Sequence, residues 1–176
     1  MYSFDRDLQV PSRTIFLREQ INDQAANQSI AQLIYLDLED ADTPIQLYIN
    51  TPAGSIAAGL AIYDTIRSLR SEVHTICMGV ADSIGSLLLA IGTPGNRSAQ
   101  RHARIRLAQP DTTSIGGTAQ EIETAARSVF RQRQILYELY AQATGQSIET
   151  IAQDTAKREF MSATEAQTYG LIDRIL

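Results

Sequence analysis

A layered α/β domain on a largely parallel sheet is what this chain of 176 residues predicts. Three observations carry that expectation. Apolar β-type runs alternate with helical patterns from residue 14 onward, short small-residue or glycine turns separate them, and no repeat or low-complexity linker interrupts the series. The length suits one domain with a sizeable core.

The elements follow in order. Residues 14–17 (Thr-Ile-Phe-Leu) read as a strand, and residues 23–38 as an amphipathic helix. A strand at 45–50, a helix at 59–69 and a strand at 73–78 come next. Residues 79–83 then form a turn of small residues, and an apolar helix starts after Ser83. A later strand begins at Arg104 and ends before Pro110. Residues 111–117 are polar and turn-rich. Residues 119–143 form a long helical pattern in which Ile122, Ala125, Ala126, Val129 and Phe130, then Ile135, Leu136, Leu139 and Tyr140, recur at three- and four-residue spacing.

Composition narrows the classes of function. Fifteen basic against twenty acidic residues give a net charge of −5, with no basic stripe for nucleic acid. The one cysteine, Cys77, excludes an internal disulfide framework and lies in an apolar strand, where packing is its expected role. The longest apolar run, residues 87–91, is far too short to cross a bilayer, and no signal peptide is read. The expected compartment is the cytoplasm, or the plastid stroma if a transit peptide has been trimmed. No metal or cofactor is expected.

Ser83 is the residue with the most chemistry. A strand, small-residue turn and apolar helix lift its hydroxyl to a helix N-terminus, where backbone N–H groups can stabilise an oxyanion. Around it the chain resembles the ATP-dependent Clp protease proteolytic subunit, ClpP. The resembling stretches run in order from residues 14–17, through 45–55 (Ile-Gln-Leu-Tyr-Ile-Asn-Thr-Pro-Ala-Gly-Ser), 59–66 and 81–85 (Ala-Asp-Ser-Ile-Gly), to Thr144-Gly145-Gln146, Asp154-Thr155, Phe160-Met161-Ser162-Ala163 and the closing residues 170–176. The resemblance implies a crotonase-like ClpP fold, a spiral of βα turns with an extended handle helix. It divides one domain into a short N-terminal segment (1–12), a head (13–110), a handle strand and helix (111–145) and a C-terminal part of the head (146–176).

Carried over position by position, the resemblance puts the nucleophile on Ser83, the histidine on Ala108 and the aspartate on Arg158. Two of three triad positions are lost, and the acid position has reversed its charge. A serine hydroxyl needs a base within hydrogen-bond reach, and alanine supplies none. The oxyanion donors correspond to the amides of Gly54 and Ile84, with Ala53 replacing the first of two glycines; a tight turn after a strand explains Gly54 equally well. Asp82 and Arg158 are expected to form an ion pair in the former triad, joined by Arg106.

Other bases are conceivable. His102 stands six residues before position 108, about 20 Å along an extended strand. His74 lies at the far end of the strand leading to Ser83. Lys157 adjoins the lost acid position but reads as solvated.

Partners are implied by the same resemblance. The long helix would interdigitate with a second heptameric ring through its apolar stripe, at Val129 and Phe130, with Glu121 and Lys157 in a charged contact between rings. The apical positions that hold an unfoldase loop fall on Gln46, Tyr48, Ser68, Ile76, Met78, Ser98, Gln100 and Leu176; those at 46, 68, 98 and 100 are polar or small, which weakens docking of an AAA+ unfoldase. The expected protein is therefore a degenerate, ClpR-like ring subunit, in a homo-oligomer or beside an intact ClpP subunit. The alternatives are a divergent serine endopeptidase using Ser83, and a crotonase-like binding protein or acyl-CoA enzyme.

Overall fold

In the computed structural model, residues 12–110 and 117–176 are described. The first half of the chain lays down β1 (Thr14–Arg18), α1 (Asp23–Glu39), β2 (Ile45–Thr51), α2 (Ile56–Ser68), β3 (Val73–Asp82) and α3 (Ile84–Ala90). Then come β4 (Arg97–Ala99), β5 (Arg104–Arg106), α4 (Ala119–Thr144), α5 (Ile148–Lys157), β6 (Met161–Ser162), α6 (Ala163–Tyr169) and β7 (Arg174–Ile175). The sheet has seven strands in the order β1-β2-β3-β4-β7, with β5 paired to β3 and β6 paired to β5. All pairings are parallel except β5 with β6.

Alternating apolar residues decide which way the strands face. Ile15 and Leu17, Ile45, Leu47 and Ile49, and Val73 and Cys77 all point into one core with Leu33, Ile62, Ile84, Leu87, Leu88 and Leu89 from the helices. Caps define the helix starts: Asn22, Ser55, Ser147 and Ser162 each accept a backbone N–H from the first turn. The buried guanidinium of Arg13 satisfies carbonyls at the end of α1, donating to Leu36 at 2.8 Å and Asp40 at 2.6 Å, and to Thr43 at 2.7 Å.

Boundaries expected from sequence shift by three residues or more in three places, the first being β5, which stops at Arg106 and does not run on to the residue before Pro110. Strand β3 does not stop at residue 78 but continues to Asp82, with a register irregularity against β2 and Gly79 at φ 94°. The glycine lets the strand bulge and carry on, so what reads as a turn is strand. Helix α2 starts three residues earlier than expected, at Ile56, because Ser55 caps it. The expected N-terminal segment (1–12) lies almost wholly outside the described residues, as does most of the segment at 111–117.

Helix α4 is divided along its length. Leu136, Tyr137 and Tyr140 in its second half are buried. In its first half Ile122 and Phe130 are exposed, and Val129 only half-buried. The stripe is real, but among the described residues only half of it is covered.

Candidate functional site

Ser83 sits where β3 ends and α3 begins, at φ 53° and ψ −129°. A non-glycine residue there costs about 1–3 kcal/mol and persists only when its surroundings hold it. The hold is visible: the Ser83 carbonyl accepts from the Ser86 amide at 3.0 Å and from Ser86 Oγ at 2.8 Å. The Ser83 hydroxyl does not cap α3. It lines a cavity of about 500 Å³ with Gly54, Ser55, Asp82, Arg106, Gln109, Gln132 and Arg158, among others.

Gly54 and Ile84, the two expected amide donors, are packed together. A Cβ at Gly54 would come within 2.7 Å of Ile21 Cβ and 3.0 Å of Ile84 Cγ2, so glycine is needed for close approach and not for a left-handed turn. Ala53 is not among the four non-glycine residues with positive φ in the described chain, and therefore fits its turn without strain. A Cβ on Gly59 would overlap Ile84, which is how α2 presses against the start of α3.

Position 108 has been absorbed into the core. Ala108 is fully buried among apolar residues, and its amide donates to the hydroxyl of Tyr140 at 2.8 Å. Tyr140, from α4, is itself fully buried; its oxygen lies 2.7 Å from Ser86 Oγ and 3.3 Å from the Ser83 carbonyl. The Ala108 N–H donates to Tyr140, the Tyr140 and Ser86 hydroxyls share a hydrogen bond in which either oxygen can donate, and both hydroxyls reach the Ser83 carbonyl. Burial pushes the phenol pKa up, so Tyr140 keeps its proton. One side chain thus ties the main chain at both residues 83 and 108 to α4. Sequence periodicity marks Tyr140 as a stripe residue and gives no hint of this.

In the expected cluster of Asp82, Arg158 and Arg106, the carboxylate is paired with Arg106. Asp82 and Arg106 are direct cross-strand partners of β3 and β5, and both carboxylate oxygens accept from Arg106, Oδ1 from Nε at 2.8 Å and Oδ2 from Nη2 at 2.6 Å. The hydrogen bond to Asp82 raises the already high pKa of Arg106, which stays charged. The Phe160 ring lies under the same guanidinium at 4.5 Å, and under that of Arg104 at 4.7 Å. Arg106 Nη1 also donates to the Arg158 carbonyl at 3.4 Å. The Arg158 side chain turns to Gln109, with Nε donating to Oε1 at 3.2 Å. Arg158 itself holds a left-handed conformation at the end of α5, φ 55°.

The other candidate bases lie elsewhere. His74 is bonded to Glu72 at 3.0 Å and Gln46 at 3.2 Å at the opposite end of β3 from Ser83. His102 is exposed in the turn between β4 and β5. Neither lines the cavity. Lys157 pairs with Asp154 at 2.6 Å, and that bond raises its pKa, the opposite of what a general base requires. Burial pushes the Cys77 thiol up to about 12, so it is inert packing. Glu121 closes a capping box with Thr118 at the start of α4, accepting from its amide at 2.7 Å and its hydroxyl at 2.9 Å. Among the described residues no group of His, Cys, Asp and Glu could hold a metal ion. No helix there is long and apolar enough to cross a membrane.

Fold and site together define an α/β protein on a largely parallel sheet, in which Ser83 stands at a strained strand-to-helix junction beside a cavity. Comparison with known proteins agrees: the Clp protease family profile matches residues 6–176, and the chain belongs to that family. It is 49% identical over 168 residues to the ATP-dependent Clp protease proteolytic subunit 3 of Synechococcus sp. (strain CC9605), covering 93% of this chain and 82% of that protein. It is 48% identical, with the same coverage, to proteolytic subunit 2 of Prochlorococcus marinus (strain NATL2A).

Proposed function

We propose that this chain is a non-catalytic, ClpR-like subunit of a Clp protease ring. The observation that carries the proposal is the pair of replacements around an otherwise intact nucleophile turn. Ala108 is sealed in the core and cannot take a proton from Ser83, and the acid position carries the cation of Arg158. Loss of a triad member costs roughly four to six orders of magnitude in turnover, and losses overlap because the members act together. The Asp82–Arg106 pair fills the space with a salt bridge that has no transferable proton at neutral pH. In this reading the Ser83 turn is kept because the fold needs it: it starts α3, whose residues are all buried.

The structural role is assembly. The exposed half of the α4 stripe would dock on a second copy or on an intact ClpP subunit, in a heptameric or double-heptameric ring. Glu121 and Lys157 are engaged within the chain, so a contact between rings would have to displace those bonds; Phe130 and Val129 are the better anchors. Weakened docking of an AAA+ unfoldase and a cytoplasmic or plastid-stromal setting belong to the same proposal.

A divergent serine peptidase is the second reading. The strained, cavity-lining Ser83 favours it, since its hydroxyl is not engaged in capping. A fluorophosphonate probe separates the two. The purified protein is expected to show no labelling at Ser83 and no hydrolysis of short fluorogenic peptides above background. Fast, stoichiometric labelling of Ser83 would overturn the non-catalytic reading. A crotonase-like acyl-CoA enzyme is disfavoured by the family match along nearly the whole chain.

A further inference from the structure

We propose that the groove between β1 and α1 binds an extended polypeptide segment of another chain through its main chain, an inference that does not depend on whether Ser83 is catalytic. Among the described residues β1 pairs with β2 alone and so forms an edge of the sheet. The Gln46 amide donates to the Arg13 carbonyl at 2.9 Å, and in the parallel register Thr14 stands opposite Gln46 and Phe16 opposite Tyr48. That fixes the alternation of the ladder. The main-chain N–H and C=O of Ile15 and Leu17 point to β2, and those of Thr14 and Phe16 point away from it. An open edge of this kind is a template for one more strand. At the same edge the Thr14 hydroxyl oxygen is buried and has no hydrogen-bond partner among the described residues.

The facing wall belongs to α1. Gln24, Gln28 and Gln32 recur at four-residue spacing, which stacks them along one side of the helix. All three line the groove together with Thr14 and Phe16. They are exposed, and among the described residues none of their side-chain amides makes a hydrogen bond. Each amide can both donate and accept, as the second side of a bound main chain requires. The two walls also match in length. Gln24 to Gln32 spans about 12 Å of helix and Thr14 to Arg18 about 13 Å of strand, room for about four extended residues. A compact ligand in this groove of about 530 Å³ would meet few of these groups at once. An extended segment meets β1 along one edge and the glutamine row along the other, while its side chains project from the two faces of the strand. The site therefore selects a conformation and not a particular sequence.

The test titrates the full-length protein, in its native assembly, with two probes in a calorimeter: an acetylated and amidated pentapeptide of alternating threonine and valine, and the same peptide N-methylated at alternate residues, which removes the donors along one edge. The unmethylated peptide is expected to bind about tenfold more tightly, the difference that two hydrogen bonds of ordinary net strength make. Replacing Gln24, Gln28 and Gln32 together with alanine is expected to weaken it by a similar factor. Alanine is the better helix former, so α1 persists in that variant, and its thermal midpoint checks this. Phe16→Pro removes an N–H that faces away from β2 and spares the ladder, and Phe16→Ala removes the same ring but keeps the N–H; the proline variant is expected to bind about threefold to tenfold more weakly than the alanine variant. Equal affinity for the two peptides would overturn the inference. So would wild-type binding in the triple glutamine variant, or no binding by the wild-type assembly, which would mean that a neighbouring subunit or another part of the chain already fills the groove.

Discussion

Tyr140 is the side chain on which the geometry of the site turns. Its hydroxyl accepts from the Ala108 amide and shares a hydrogen bond with Ser86 Oγ, in surroundings with no solvent contact. Tyr140→Phe would leave a buried N–H without an acceptor, and is expected to cost about 1–3 kcal/mol. Urea denaturation would show this as a lower midpoint with an unchanged slope; a midpoint equal to wild type would mean that the network carries no stability. The residues that sequence reading singles out here, Ser83, Ala108, Arg158, Gly54 and Ile84, each sit in a contiguous local motif. Those it missed depend on contacts far apart in the chain. Tyr140 meets Ala108 across 32 residues and Ser86 across 54. Of the expected cluster of Asp82, Arg158 and Arg106, it is the register of β3 against β5 that makes Arg106 the direct neighbour of Asp82.

Helix α4 carries two instructions written in one periodicity. Its second half is a core helix, with Leu136 and Tyr140 fully buried, and its first half leaves Phe130 59% and Ile122 43% exposed. A 3.6-residue pattern reports that a face is apolar and says nothing of which body covers it. The helix itself, like α1 and β1, was readable almost to the residue; the short strands β6 and β7 were not, since two residues carry no period. Arg133 lies over the Phe130 ring at 4.7 Å, partly shielding it in the single chain. Replacing Val129 and Phe130 with Asp is expected to leave helix content and thermal midpoint near wild type, because neither is in the core, while reducing the mass of the native assembly. Analytical ultracentrifugation would read this. Unchanged mass would show that the exposed stripe is not the assembly surface, and a wild-type monomer at micromolar concentration would remove the homomeric version of the proposal.

At the scale of the whole molecule one ion pair joins segments that sequence order keeps apart. Arg97, with its side chain 11% exposed, donates to both oxygens of Asp173, Nη2 to Oδ1 at 2.6 Å and Nε to Oδ2 at 2.9 Å. Its Nη1 donates to the carbonyls of Ala90 and Ala143, at the ends of α3 and α4. Asp173 also accepts from the amides of Gly95 and Arg97. The C-terminal segment is thereby fastened to β4 and both helices. The hydrogen bonds from Arg97 hold the Asp173 carboxyl below its ordinary value of 3.8. A carboxyl depressed in the folded state contributes its full stability above the unfolded pKa and loses it as pH falls through the folded one. Asp173→Asn is therefore expected to destabilise the protein by about 2 kcal/mol near neutral pH, less than for a fully buried pair because Asp173 keeps some solvent contact. Below that folded pKa the variant and wild type are expected to converge, since the wild-type carboxyl is then also neutral. Urea midpoints measured across this acid range test it. A constant gap between the two proteins down to the lowest pH would show that the charge of Asp173 is not what fastens the C-terminal segment.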